Sequence, residues 1–310
     1  MADPTLSAGQ YSIGKNLPSG DASAFVFGRG ANSIQIQSTS TDTGSLTVQD
    51  QAVVGHDGTL FGVDTLPGMV ITQTGFAYSP VPVVNALDAY SALAAIWNDP
   101  VVRFANGPVQ VLRAFYPGSL VTRRCYGRGR KIMPTLGLVY TGQVPFTSQF
   151  QCADNTWYSD VQQSIILTQK PSFRGTLTPP LIPPYQLASS ANFQQNVITN
   201  TGTLPTWPVI IFAGPVSYPA FSFVNTPVTI GYNGILGNTD TLTIDTRPWA
   251  RTAMLNGITS VAGLLTGNPM IGLQIQPGAT LVRFSGQDFT GNSTCTVQWR
   301  NAALSIGGSA

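Results

Sequence analysis

Glutamate is missing from this chain of 310 residues, and all 13 of its acidic side chains are aspartate. Glutamate is among the good helix formers, whereas threonine, valine, isoleucine and the aromatics favour strands. Its absence beside 32 glycines and 23 prolines predicts a mainly β protein with many turns and little helix. Charge is scarce as well: charged residues make up 9% of the chain and the net charge is +2. So few charges give the surface little to keep copies apart, which predicts that much of it is buried in an assembly. Three cysteines, Cys125, Cys152 and Cys295, are too few and too widely spaced for a disulfide framework or a zinc pattern, and read as buried free thiols of a reducing compartment. No apolar run is long enough to span a bilayer, and the opening MADPTLSAGQYSIGK lacks the basic and then apolar regions of a signal peptide, so neither membrane insertion nor classical secretion is expected. A hydrophobic share of 43% excludes a disordered chain.

The length suggests two domains. Residues 1–160 read as a β domain with a single helix near 85–98. In VNALDAYSALAAIWND, Leu87, Tyr90, Leu93, Ala94 and Trp97 recur at helical spacing, with Asn85 placed to cap the start and Pro100 to end it. Asn106-Gly107 lies between two β-like runs and predicts a hairpin. A Pro-rich connection near 170–190, with prolines paired at 179–180 and 183–184, leads into residues 161–310, where short strands recur as in a β-sandwich. In TCTVQWR, Cys295, Val297 and Trp299 share one face. Asn256-Gly257 reads as a second tight hairpin, and VIIFA as a strand buried on both faces.

Catalytic chemistry is hard to assemble from these residues. The lone histidine, His56, precedes Asp57 in VVGHDG, and reads as a turn residue. A Ser-His-Asp site would need His56, yet no Gly-x-Ser-x-Gly elbow accompanies it. Asp240 and Asp245 could in principle serve as a hydrolase pair, but strand-end aspartates beside Thr and Asn read as turn formers. GRGANS lacks the lysine and third glycine of a phosphate loop, and Asn292-Ser293-Thr294 reads as polar turn. Neither enzyme activity nor a metal or cofactor is expected. The one concentration of charge is RRCYGRGRK, holding Arg123, Arg124, Arg128, Arg130 and Lys131. It reads either as a solvated loop tip or as a contact site for acidic groups, with a protein partner favoured over nucleic acid.

NTGTLPTWPVIIFAGP, then FSFVN, then DTLTIDTRPWARTAMLNG resembles the C-terminal half of distal tail proteins of long-tailed bacteriophages. Upstream, RRCYGRGRK followed by FQCADNTWYSD is similar to the stretch closing the N-terminal domain in minor tail proteins of actinobacterial phages. The order of these segments over roughly residues 85–300 carries the resemblance. It implies a β-barrel-like, ring-forming N-terminal domain with a helix and a galectin-like β-sandwich projecting from it. Six copies would close into a ring joining the major tail tube protein and the tape-measure end to the tail-associated hub and other minor tail proteins. DNA would pass through the lumen without sequence-specific binding. The protein would belong to the virion's tail tip, assembled in the host cytoplasm, with the arginine cluster at a subunit, hub or lumen surface and Asn200, Gly202, Pro205 and Trp207 serving folding. Galectin sugar sites combine His, Asn, Arg, Trp and Glu; this chain has no Glu, so sugar binding does not follow from the shape. The alternative is a module for host cell-wall carbohydrate using Trp207 or Trp249, although both aromatics read first as packing.

Overall fold

The computed structural model describes residues 3–17, 20–54, 56–79, 83–104, 107–169 and 193–307; the Pro-rich connection expected near 170–190 lies outside them. The chain forms two compact units, residues 1–160 together with those from 303 onward, and residues 161–302.

The first unit contains β1 (Gln10–Leu17), β2 (Gly20–Gly28), β3 (Ile34–Asp42), a short pair β4 (Gln51–Ala52) and β5 (Thr59–Leu60), β6 (Val70–Tyr78), α1 (Val83–Trp97), α2 (Pro100–Phe104), β7 (Val109–Phe115), β8 (Arg123–Pro134), β9 (Gln143–Cys152) and β10 (Trp157–Ser159). Its main sheet runs β2-β1-β7-β8-β9-β6-β3, with β10 on β8 off that path. Among the described residues β2 and β3 share no pairing, so the barrel-like sheet stays open.

Strict alternation along β6 and β9 turns Ile71, Ala77, Phe146 and Phe150 inward, against α1. On the helix, Ala86, Leu93 and Trp97 are buried and Ala89, Tyr90 and Ile96 half-buried, a stripe at steps of three and four. Leu87, expected on that stripe, is exposed because it lies one residue and about 100° round from Ala86. The helix begins two residues before Asn85, which therefore sits in its first turn and not at its cap. Pro100 opens α2 instead of merely closing α1. Asp99 Oδ1 accepts the Val101 N–H at 2.9 Å, and the missing N–H of a first-turn proline costs the helix nothing. The run before Asn106-Gly107 is thus helical, and the hairpin expected there does not form; Asn106 itself lies outside the described residues.

The second unit is a sandwich built from β11 (Gln163–Thr168), β12 (Phe193–Asn200), β13 (Val209–Ala213), β14 (Val216–Phe223), β15 (Thr229–Tyr232), β16 (Ile235–Leu236), β17 (Thr241–Asp245), β18 (Thr252–Leu255), β19 (Thr259–Ser260), β20 (Leu265–Gly267), β21 (Gly278–Gln287) and β22 (Thr294–Trp299). One sheet runs β11-β22-β13-β17-β18-β19 and the other β12-β21-β14-β15-β20. Ile210, Phe212, Ile244 and Val297 meet Phe221, Val282 and Phe284 between them, and Phe212 stacks on Phe284 at 5.7 Å. On β22 the buried face is Cys295, Val297 and Trp299, as the period-two pattern requires. Strand β13 is buried on one face and half-buried on the other, and not buried on both as its apolar run predicts. Asn256 and Gly257 both take positive φ (53° and 69°), and Ile258 N–H donates to the Leu255 carbonyl, closing the expected tight turn.

Candidate contact site

The charged stretch RRCYGRGRK is a strand, not a loop tip: all of it lies on β8, and the sheet sorts its charges by position. Arg123 and Arg124 are buried, Arg128 is half-buried, and Arg130 and Lys131 are exposed. Arg124 sits directly opposite Arg113 of β7, an arrangement that places two like charges side by side in the sheet. Both are almost fully buried, with side chains 1% and 4% exposed, so counter-charges are obligatory. Asp160 supplies the first. Arg113 Nε and Nη2 donate to its Oδ1 and Oδ2 at 2.8 and 2.5 Å, and Arg124 Nε and Nη2 donate to Oδ1 at 3.0 and 2.7 Å. Burial by itself would raise the Asp160 pKa, but the two guanidiniums outweigh it and hold the carboxyl below its ordinary value. Asp3 supplies the second, its Oδ2 accepting from Arg124 Nη2 at 2.6 Å. Arg123 turns to the other face beside Ser159, where burial lowers its pKa.

The glycines of the same stretch have steric work. A Cβ on Gly129 would stand 2.3 Å from the Trp97 carbonyl, so glycine is what lets α1 close on β8. Gln110 fastens that junction, donating to the Ile96 carbonyl at 2.6 Å and accepting the Gly129 N–H at 2.8 Å. Arg128 Nη2 donates to the Pro108 carbonyl at 2.9 Å. Only the outer end of the stretch, Arg130 and Lys131, faces solvent, and it runs on into exposed Met133, Leu136, Leu138 and Tyr140.

A second exposed feature was not visible as such in the sequence. Between the last β3–β6 pair, Asp42 with Val70, the chain leaves the sheet as a narrow ribbon pinned by the Thr47–Thr65 bridge and the β4–β5 pair. Leu46, Val48, Val54, Leu60, Phe61, Val63 and Leu66 are all exposed on it, Val54 by 95% and Phe61 by 86%. Its only acids and bases are Asp50, Asp57, Asp64 and His56. A two-stranded ribbon with no core of its own is marginal in water, and its exposed apolar side chains make it a candidate contact surface.

The remaining candidates do not gather into one site. His56 and Asp57 are exposed at the ribbon's turn. Asp240 accepts from Asn256 Nδ2 and Gly237 N–H, bonds that lower its pKa, and Asp245 is held by Arg247 at 2.6 Å. Trp207 is half-buried, and so is Trp249, whose ring lies 5.6 Å from the Arg247 guanidinium. Asn200 is buried, accepting the Gly202 N–H and donating to Leu204 and Ile275 carbonyls, and a Cβ on Gly202 would meet the Ala302 carbonyl at 2.0 Å. Asn292-Ser293 belongs to a turn organised by Asp288, which accepts from Thr290 and Ser293 N–H groups; burial opposes its ionisation, but these donors bring its pKa down to about 2. Cys125, Cys152 and Cys295 are free and buried. Among the described residues no three His, Cys, Asp or Glu side chains gather as metal ligands would. Sequence reading passed over Arg113, Asp160 and Asp3. The available signal was Arg113 itself, a charge inside the strand-like run VQVLRAF of a chain with few charges.

No protein-family model matches the chain, and no curated protein matches it by sequence. Its fold is nevertheless similar to solved structures. The SPP1 Dit protein (gp 19.1), described as a paradigm of the hub adsorption apparatus in phages infecting Gram-positive bacteria, superposes with a TM-score of 0.54 at 12% identity, over 94% of this chain and 98% of that one. A chain of the phage P2 baseplate in its activated conformation with Ca gives 0.53 at 11% identity, over 93% and 97%. The same baseplate with Sr gives 0.53 at 10% identity.

Proposed function

We propose that the protein is a structural component of a phage tail tip, whose copies close into a six-membered ring between the tail tube and the tip hub and leave a channel for DNA. The observation that carries this reading is the extent of the fold likeness, which runs through both units almost end to end in hub and baseplate proteins. The composition and the surface agree with it. The ribbon offers apolar side chains with three aspartates and no lysine or arginine, while the outer end of β8 offers Arg130 and Lys131 beside Met133, Leu136, Leu138 and Tyr140. Two different and complementary patches on one chain suit a head-to-tail contact, the kind that closes a ring. The neighbours in this reading are the major tail tube protein, the tape-measure end, the tail-associated hub and other minor tail proteins, in the virion after assembly in the host cytoplasm. Asp240, Asp245 and His56 then have structural roles and no catalytic one.

The test is the mass of the purified protein in solution with negative-stain images of any assembly. A six-copy ring with an open centre is expected at high concentration or with the tube protein as template. Phe61→Asp with Val63→Asp, and separately Arg130→Ala with Lys131→Ala, should each abolish ring formation while leaving the monomer folded. Rings that survive both double substitutions would remove the ribbon and the basic edge from the contact, and a monomer under all of these conditions would overturn the ring.

A further inference from the structure

We propose that Arg113 and Arg124 form a binding site for a carboxylate-bearing extended segment, and that residues 3–6 fill it as a separable strap and not as part of the sheet. The sheet fixes the two arginines as direct neighbours, with Ser12 of β1 beyond one and Tyr158 of β10 beyond the other. One carboxylate, Asp160, lies within hydrogen-bonding reach of both, but two buried cations need two anions. The second comes from a segment that makes no strand pairing. Residues 3–6 are held by the Asp3–Arg124 ion pair at 2.6 Å, by the Pro4 carbonyl accepting from Arg113 Nη1 at 2.9 Å, and by buried Leu6, while Ser7 already turns back onto Gln10. Backbone pairing with the sheet begins only afterwards, where Gly9 N–H donates to the Phe115 carbonyl and β1 starts at Gln10.

The site therefore reads a short pattern: a carboxylate, a carbonyl one residue later and an apolar side chain two residues after that, as in Asp3-Pro4-Thr5-Leu6. Proline fixes φ and has no N–H to leave unmet, so the segment enters already extended. Ligand and site meet through side chains and one carbonyl, which makes the strap exchangeable. The same residues of a second copy carry the same chemistry. The inference stands on the first unit alone and does not depend on the ring.

The test uses the full chain carrying Asp3→Asn and a fluorescent peptide of residues 1–8, with a second peptide in which the aspartate is asparagine. The Asp3→Asn chain is expected to bind the aspartate peptide at least about tenfold more tightly than the asparagine peptide, the loss of one charge-assisted contact. Equal affinities, or no binding of either peptide, would overturn the site. Titration of the unmodified chain separates the sources: weaker but measurable binding of the aspartate peptide assigns the site to exchange between copies, and binding confined to the Asp3→Asn chain assigns it to the chain's own strap. Both uphold the site. Should the variant fail to fold, hydrogen exchange on the unmodified chain decides. Backbone amides of the strap should exchange at least about tenfold faster than those of Tyr11 to Ile13, and equal protection would make the strap part of the fold.

Discussion

In the second unit Phe212 stacks on Phe284, and the side chains between the two sheets are almost all apolar. In the first, two arginines and their carboxylates occupy one part of the interior, and Gln73 and Ser148, buried and paired in register on β6 and β9, meet no hydrogen-bond partner among the described residues. Between its two sheets the second unit is held by non-directional burial, which tolerates small shifts, and buried polar groups such as Asn200 and Asp288 sit at strand ends. The first depends on directional contacts whose loss strands a charge or a donor, so it should be the more easily switched and the more sensitive to single polar substitutions.

The sharpest way to break this contrast is a pair of substitutions read by hydrogen exchange in peptides from each unit. Asp160→Asn removes the anion shared by Arg113 and Arg124 and should lower the stability of the first unit by about 3–5 kcal/mol, as removing one member of a buried ion pair does. Phe212→Ala should cost the second unit about 3–5 kcal/mol through a cavity. Each is expected to leave the other unit's protection unchanged; a loss spread evenly over both would erase the distinction.

Acidity gives a subtler handle, because Asp154 of the first unit and Asp288 of the second shift in opposite directions. Asp154 in the first unit is pushed up to about 6 by burial, which outweighs the Tyr158 hydroxyl donating to it at 2.5 Å. A carboxyl raised in the folded state favours folding while protonated, so this contribution fades as pH rises from about 4 to about 6. Asp288 in the second unit is lowered to about 2, so its contribution is complete above about pH 4 and is lost as pH falls towards 2. Asp160, also lowered, acts in the same sense as Asp288 in the first unit. Between pH 4 and 7 the first unit should therefore lose protection with rising pH while the second stays level. Asp154→Asn should flatten the first unit's profile, and an unchanged slope in that variant would assign the slope to another group.

The smallest effect expected is a gain. Gln73→Met keeps the volume and removes polar atoms without a protein partner, and should stabilise the first unit by about 1 kcal/mol in a denaturant titration. A loss of similar size would show that the amide is satisfied in solution.

How much of this could be read from the sequence varied with the reach of the forces involved. The strands of the second unit were legible because their alternation is local: Cys295, Val297 and Trp299 face one way whatever lies beyond them. The Asn256-Gly257 turn was legible for the same reason, since the backbone angles it needs belong to those two residues. Asn106-Gly107 misled because Asp99 and Pro100, several residues earlier, start a helix that β propensity alone does not foresee.

Composition and local pattern thus determined that the chain is mainly β, that its second half is a sandwich, and that its one concentration of charge lies at residues 123–131. Only the tertiary structure decided what those charges do. Arg124 and Arg130 are six residues apart on a single strand, yet one is buried against Asp160 and Asp3 and the other lies in solvent. Their fates are set by neighbours up to 121 positions away in the chain, and a cross-strand partner or a distant carboxylate leaves no periodic mark on the sequence that it stabilises.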